Sequence, residues 1–378
     1  MQQNKNRTTG IKLEGDRQIW RLLFILALFS ILAVSSSSYK LTLYKGNFSF
    51  IFSHVMYLFA GFVIMYVLHK TSLDTVKKLA PVALLFIALL LLFVLIFSPN
   101  KRWMLGAQPS EFAKIAIVVY LAKTLSEKIK TGIEFIILVV LPVGIYCGLI
   151  LFGHTSTVLI IGLNAVVLVL MAANRKHIAV TFMSVLFAAA VYMAFESFFP
   201  RSDTAKSRIS TFFERVEPKS GSQEYYAVQA INRGGVIALR PGKSKYREKL
   251  SEANNDFIYA IIVEEYGLFG GIIFVVLPYL YLFYRVIRII KRCKKPFPAL
   301  MTGGLFFMII VQTLINIGVS VHVLPVTGQN LPLISSGGSS IIATCIAFGL
   351  ILSVSRLVET QKKQLRIKNQ EAVIKKRN

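Results

Sequence analysis

The sequence predicts an all-α integral membrane protein of ten transmembrane helices, with both termini cytoplasmic and a long extracytoplasmic loop between spans seven and eight. Three observations predict it. Hydrophobic residues fill 55% of the 378 positions and charged ones only 16%, where soluble domains carry about 25% charged residues. Apolar segments of about 17–25 residues, each long enough to cross a bilayer, lie at 19–37, 49–69, 79–98, 109–125, 132–152, 155–173, 178–197, 258–284, 297–319 and 337–356. Basic residues are shared unevenly between the two sides. Alternate connections and the tails hold 27 of the 43 Lys and Arg, the short connections on the other side four, and the long loop eleven. The positive-inside rule places the richer side in the cytoplasm, and long loops weigh little in it.

The chain therefore divides into a basic tail at 1–18, a membrane domain at 19–356 containing the extracytoplasmic loop 198–256, and a basic tail at 357–378. The first apolar run, Leu22 to Val34 followed by four serines, is read as a retained span, because many spans follow and no clean small-x-small cleavage site is present. The net charge of +25 sets orientation and attracts anionic membrane lipids. Nucleic-acid binding is excluded, since no basic, aromatic-interleaved domain exists. Cys147, Cys293 and Cys345 show no metal spacing and suggest no disulfide. No internal repeat is expected.

Five segments break the apolar monotony. In 100–106, Trp103 suits an interfacial anchor, while Lys101 and Arg102 place fixed positive charge suited to a phosphate. In Gln108-Pro109-Ser110-Glu111-Phe112-Ala113-Lys114, helical spacing puts Ser110, Glu111 and Lys114 on one face. Ionisable groups in a membrane helix are costly and mark function, or else form a buried ion pair that locks packing. His154, in a turn between spans five and six, reads as a structural hydrogen-bonder. The long loop offers Arg233, Arg240 and Lys243 among Gly and Pro clusters that argue for turns rather than a regular domain. Those cations suit an anionic head group or simply a solvated loop. Asp256 closes the loop where an apolar run begins, as a helix-dipole partner or a partly desolvated base. Glu264 and Glu265 follow inside that run and need partners. Between Asn316 and Ser340, two prolines and several glycines mean broken backbone at membrane depth, which needs protein or a wet cavity around it. The amides of Ser336-Gly337-Gly338 are placed to bind an anion.

Together these segments resemble the SEDS family of shape, elongation, division and sporulation proteins, which includes FtsW and RodA. Lys101-Arg102-Trp103 with Gln108 to Lys114 matches the family's basic-Arg-Trp and Gln-Pro-Ser-Glu-x-x-Lys pattern. Asp256-Phe257-Ile258-Tyr259-Ala260, Glu264-Glu265-Tyr266-Gly267 and Gly270 match a second motif, and Asn316 to Ser340 a third. The resemblance covers nearly the whole chain. It implies a ten-span peptidoglycan glycosyltransferase that polymerises lipid II, an undecaprenyl-pyrophosphate-linked disaccharide peptide, at the outer face of the bacterial cytoplasmic (inner) membrane. It further implies a class B penicillin-binding protein and other divisome proteins as partners. The family's essential loop acid falls on Asp256 and its charged helix pair on Glu111 and Lys114. Two departures stand out: His154 replaces the family's acid, so no catalytic role is given to it, and Ser251 replaces a proline before Glu252.

Such a reaction needs a base for the acceptor hydroxyl and positive charge for the departing pyrophosphate. The expectation is Asp256 as base, Lys114 and Arg102 at the pyrophosphate, and Glu111 orienting Lys114. Arg233, Arg240 and Lys243 are expected to help from the loop, with Ser110, Glu252, Asn316, Thr327 and Ser336 positioning substrate. No cofactor is demanded; a divalent cation, Mg or Mn, could bridge Asp256 and the pyrophosphate. A division role is preferred over an elongation role. The rival from another class is a lipid-linked precursor flippase, which would want its polar site near the midplane rather than at one boundary. A scaffold without chemistry would tolerate Lys114→Ala.

Overall fold

The computed structural model describes residues 13–38, 48–98, 106–153, 155–172, 175–194 and 220–375. The described part of each predicted apolar segment falls on a helix, and no strand occurs among the described residues. In chain order the helices are α1 (Arg17–Ser37), α2 (Ser49–Lys70), α3 (Leu73–Phe97), α4 (Pro109–Leu125), α5 (Gly132–Leu151), α6 (Thr155–Ala172), α7 (Arg175–Ala194), α8 (Gln223–Gly234), α9 (Ile258–Arg292), α10 (Pro296–Ser320) and α11 (Gly338–Lys375). Eight of them, α1, α2, α3, α5, α6, α9, α10 and α11, are long and apolar enough to cross a membrane among the described residues. α4, with 17 residues, is shorter and carries Glu111, Lys114 and Lys123.

Local signals account for the ends. Asp16 caps α1 by accepting from the Gln18 amide at 2.9 Å, and Ser72 caps α3 through the Thr75 amide at 3.1 Å. α4 and α10 open on Pro109 and Pro296, where a missing N–H costs nothing. The structure corrects two readings. The long loop contains a regular helix, α8, capped by Ser222 and closed by Gly235 at φ 58°. A short repeat also exists: Ile-Ile-x-Val-Val-Leu-Pro occurs at 136–142 and again at 272–278. Each copy forms a π turn, Ile136–Val140 and Ile272–Val276, directly before its Leu-Pro. A proline lacks the N–H and crowds the preceding turn, and the wider turn absorbs that crowding.

The polar helix is the central one. On α4, all but four of its 17 residues are buried, while α3 buries only Ala80, Leu91 and Val94 of its 25. α4 packs against α3, α6, α10 and α11. α2 lies along α11 at contact distance: a Cβ at Gly61 would stand 2.7 Å from Cys345 Sγ, and one at Gly349 2.9 Å from the Met65 carbonyl. Small residues of this kind let membrane helices approach, since lipid gives no hydrophobic drive for association.

The bundle has two chemically distinct poles. One gathers Ser36 at the end of α1, Asp256 before α9 and Ser336 before α11. At the other, Asp16 before α1 accepts from Arg285 near the end of α9, and its amide donates to Ser355 of α11 at 2.9 Å.

Candidate functional site

Asp256 sits half-buried at the first pole, one residue before the buried Phe257 and the start of α9. Its backbone is held on two sides. Asn316, on the buried face of α10, donates from Nδ2 to the Asp256 carbonyl at 3.0 Å and to the Gln329 carbonyl at 2.9 Å. From the segment before α11, Ser335 donates to the Asn255 carbonyl, and Ser336 Oγ to Asn255 Oδ1, both at 2.7 Å. The Ser336 amide donates to the Asn254 carbonyl at 3.0 Å, so the amide expected for an anion is used inside the protein. Asn255 Nδ2 donates to Glu252 at 2.9 Å, which ties that exposed carboxylate to the residue before Asp256.

The broken segment expected between Asn316 and Ser340 forms one wall. Gly328 has φ +70°, and a Cβ there would meet Asp256 Oδ2 at 3.6 Å. Gln329 donates to Ser156 at the start of α6 at 3.0 Å, and Ser156 donates to the Thr327 carbonyl at 2.7 Å. The segment between α10 and α11 is thus tied to α10, to the turn at residues 254–255 and to the start of α6. Among the described residues, Asn316 Oδ1, Thr327 Oγ1 and Asn254 Oδ1 are buried and lack partners. Buried polar atoms are almost always satisfied, so such orphans mark where water or a ligand completes the site.

Glu111 and Lys114 form a buried pair: Lys114 Nζ donates to Glu111 Oε1 at 2.8 Å, with Lys114 1% exposed. Ser110 beside them accepts from Gln108 Nε2 at 3.0 Å, and the Gln108 amide donates to Ser339 Oγ at 3.0 Å. α4 therefore reaches the Asp256 cluster through the start of α11. The ammonium contacts Glu111 and is covered by protein, whereas Asp256 keeps partial exposure.

The loop cations gather elsewhere. Glu264 accepts from Arg233 Nη1 at 2.5 Å, from the Lys245 amide at 2.8 Å and from Ser244 Oγ, and its side chain is fully buried. Arg233 is committed to that carboxylate and to the Lys243 carbonyl at 3.2 Å. The side chains of Arg240 and Lys243 are exposed. α9 breaks at Gly267, with φ +72°, and the freed backbone pairs with the chain after α8: Leu268 donates to Gly235, Phe269 to Val236, and Arg240 to Glu265. A Cβ at Gly267 would stand 2.6 Å from the Ala238 amide nitrogen. Arg102, Trp103 and His154 lie outside the described residues.

Sequence reasoning missed Ser156, Asn255, Gln329 and Ser335, which do much of the positioning. Their signal was available in kind: small polar residues inside apolar or broken stretches must find partners. Among the described residues, no three His, Cys, Asp or Glu side chains form a group able to hold a metal ion.

Known proteins share both sequence and fold with this chain. The family model described as a cell cycle protein, for FtsW, RodA and SpoVE, matches residues 16–360. A Borreliella burgdorferi protein named "Probable peptidoglycan glycosyltransferase FtsW" is 31% identical over 89% of this chain and 95% of its own. Stage V sporulation protein E of Bacillus subtilis is 30% identical over 92% of this chain and 99% of its own. A solved chain from a peptidoglycan synthase complex superposes with a TM-score of 0.72 at 24% identity, covering 92% of this chain and 99% of that one.

Proposed function

This chain belongs to the FtsW/RodA/SpoVE family, and from that premise we propose that it is a peptidoglycan glycosyltransferase that polymerises lipid II. We place it in the bacterial cytoplasmic membrane with ten crossings, α1–α7 and α9–α11, both tails inside and Asp256 facing outward. The excess of Lys and Arg at the opposite pole supports that orientation. Among family members the division and sporulation proteins are the nearer model, because full-length relatives at 30–31% identity carry those names. A class B penicillin-binding protein is the partner that fits.

One observation carries the reading: an acid at a membrane boundary is half-buried, its backbone fixed from α10 and from the start of α11, with orphan oxygens beside it. Glycan polymerisation joins an acceptor C4 hydroxyl to the anomeric carbon of a donor whose leaving group is polyprenyl pyrophosphate. Asp256 takes the hydroxyl proton or orients that hydroxyl. Its fixed backbone holds the carboxylate in position. Arg102 and Lys114 balance the departing pyrophosphate, with Arg240 and Lys243 available from the exposed loop. Lys114 is covered in this conformation, so its part requires the residues over it to move when donor binds. A Mg or Mn ion, if bound, would be held by Asp256 and would supply positive charge to the departing pyrophosphate. Arg233 acts through Glu264 to fix the loop rather than at the substrate.

Purified protein with its co-encoded transpeptidase and labelled lipid II should yield glycan chains, and folded Asp256→Ala should yield none. Normal chains from that variant would overturn the assignment. Transbilayer movement of lipid II by the same variant, without polymer from the wild type, would favour the flippase.

A further inference from the structure

At the pole opposite Asp256, a cavity of about 1200 Å³ opens between the start of α1, the second half of α2 and the end of α11. Its wall is aromatic, formed by Trp20, Phe24, Phe59 and Tyr66. Trp20 is held in place: its ring meets His69 edge-on at 5.3 Å, and its indole N–H donates to the Glu14 carbonyl at 3.3 Å. The mouth is cationic, with Arg17, Arg21, Arg356 and Lys363, against the acids Glu14 and Glu359. Arg356 is committed to the Lys70 and Thr71 carbonyls and stands 4.0 Å from Glu14. Arg17, Arg21 and Lys363 make no ion pair among the described residues. Arg17 and Arg21 are one turn apart on α1, so they point to the same side.

We propose that this cavity binds an anionic phospholipid of the leaflet that meets this pole. Its acyl chains lie against the aromatic wall, and its phosphate sits among Arg17, Arg21 and Lys363. An apolar wall below a mouth in which four cations outnumber two acids fits an amphiphile with a net negative head, and a zwitterionic head leaves the charge unbalanced. The chain's own first twelve residues are a poor occupant: they carry Lys5, Arg7 and Lys12 and no acid, so the mouth repels them. Assigning the leaflet as cytoplasmic rests on the orientation above; the site itself does not.

The chain has two tryptophans, and Trp103→Phe leaves Trp20 as the only reporter. The full chain is reconstituted in phosphatidylcholine vesicles containing a minor fraction of acyl-brominated phosphatidylglycerol or, in parallel, acyl-brominated phosphatidylcholine. The brominated anionic lipid is expected to quench Trp20 more strongly at equal mole fraction. Relative affinity should drop about fivefold for each of Arg17→Gln, Arg21→Gln and Lys363→Gln. Equal quenching by the two lipids in the unmutated mouth overturns the proposal, as does a preference that survives all three substitutions. Loss of the preference on deleting residues 1–12 overturns it too, because Lys5, Arg7 and Lys12 of the tail, not the cavity, would then be what attracts the anionic lipid. The readout is independent of glycan synthesis.

Discussion

Asp256 and Glu264 are two helical turns apart on the same run of chain, roughly 12 Å along an α-helix, yet they live in opposite circumstances. Glu264 is fully buried and surrounded by donors from Arg233, Ser244 and Lys245. Asp256 is half-buried, and donors from α10 and from the start of α11 hold the carbonyls of residues 254–256. In one the carboxylate is used to hold the fold; in the other the fold is used to hold the carboxylate. The lesson is that an acid in a membrane helix is not by itself a functional mark. What separates the two is access: Glu264 is fully buried among its donors, whereas Asp256 keeps partial exposure.

That contrast can be tested in descending order of effect. Asp256→Asn should cut glycan polymerisation by about 10²–10⁴, the usual worth of a positioned acid–base group, with the detergent melting temperature unchanged. A matching fall in melting temperature would make Asp256 structural and erase the contrast. Glu264→Ala should do the reverse. It strands a guanidinium and two polar donors, and breaking a buried pair costs about 3–5 kcal/mol, seen as a lower melting temperature and weaker expression. Lys114→Ala is expected to destabilise on the same scale, about 3–5 kcal/mol, by leaving Glu111 buried and alone. The double variant Glu111→Gln with Lys114→Met should recover much of that stability but no polymerisation; recovered activity would reduce the pair to packing. Gly267→Ala should cost about 1–2 kcal/mol for its left-handed backbone, and more because the new Cβ meets backbone at 2.6 Å. Lys243→Gln, on an exposed side chain, should shift stability by less than about 0.5 kcal/mol. It should raise the KM for lipid II at low salt only.

Much of the fold was legible because helix-length apolar runs are the one solution for a lipid-exposed backbone. α3 shows why: nearly all of it faces outward, so its composition reports the solvent. α4 shows the limit, since its polar face is hidden among α3, α6, α10 and α11, and no local pattern gives those neighbours. α8 was passed over because Gly and Pro residues around it drew attention from its Ser222 cap and Gly235 stop. The break at Gly267 was invisible for a different reason. Val236, Ile237 and Ala238 lie some thirty residues upstream, and only folding brings their backbone against it. At the site, sequence named Asp256, Asn316 and Ser336 but could not show that Asn316 and Ser336 hold the Asp256 turn. Nor could it show that Arg233 answers to Glu264.

α11 runs without interruption from Gly338 to Lys375 and contains no proline. At 1.5 Å per residue it measures about 57 Å, against a hydrocarbon thickness of about 30 Å. Its first turn abuts the serines that grip residues 254 and 255, and its residues 362–371 are exposed. A stiff shaft of that length has no joint at which a push could dissipate. Torque or tilt applied to its free end would therefore register at the opposite face, one residue away from Asp256.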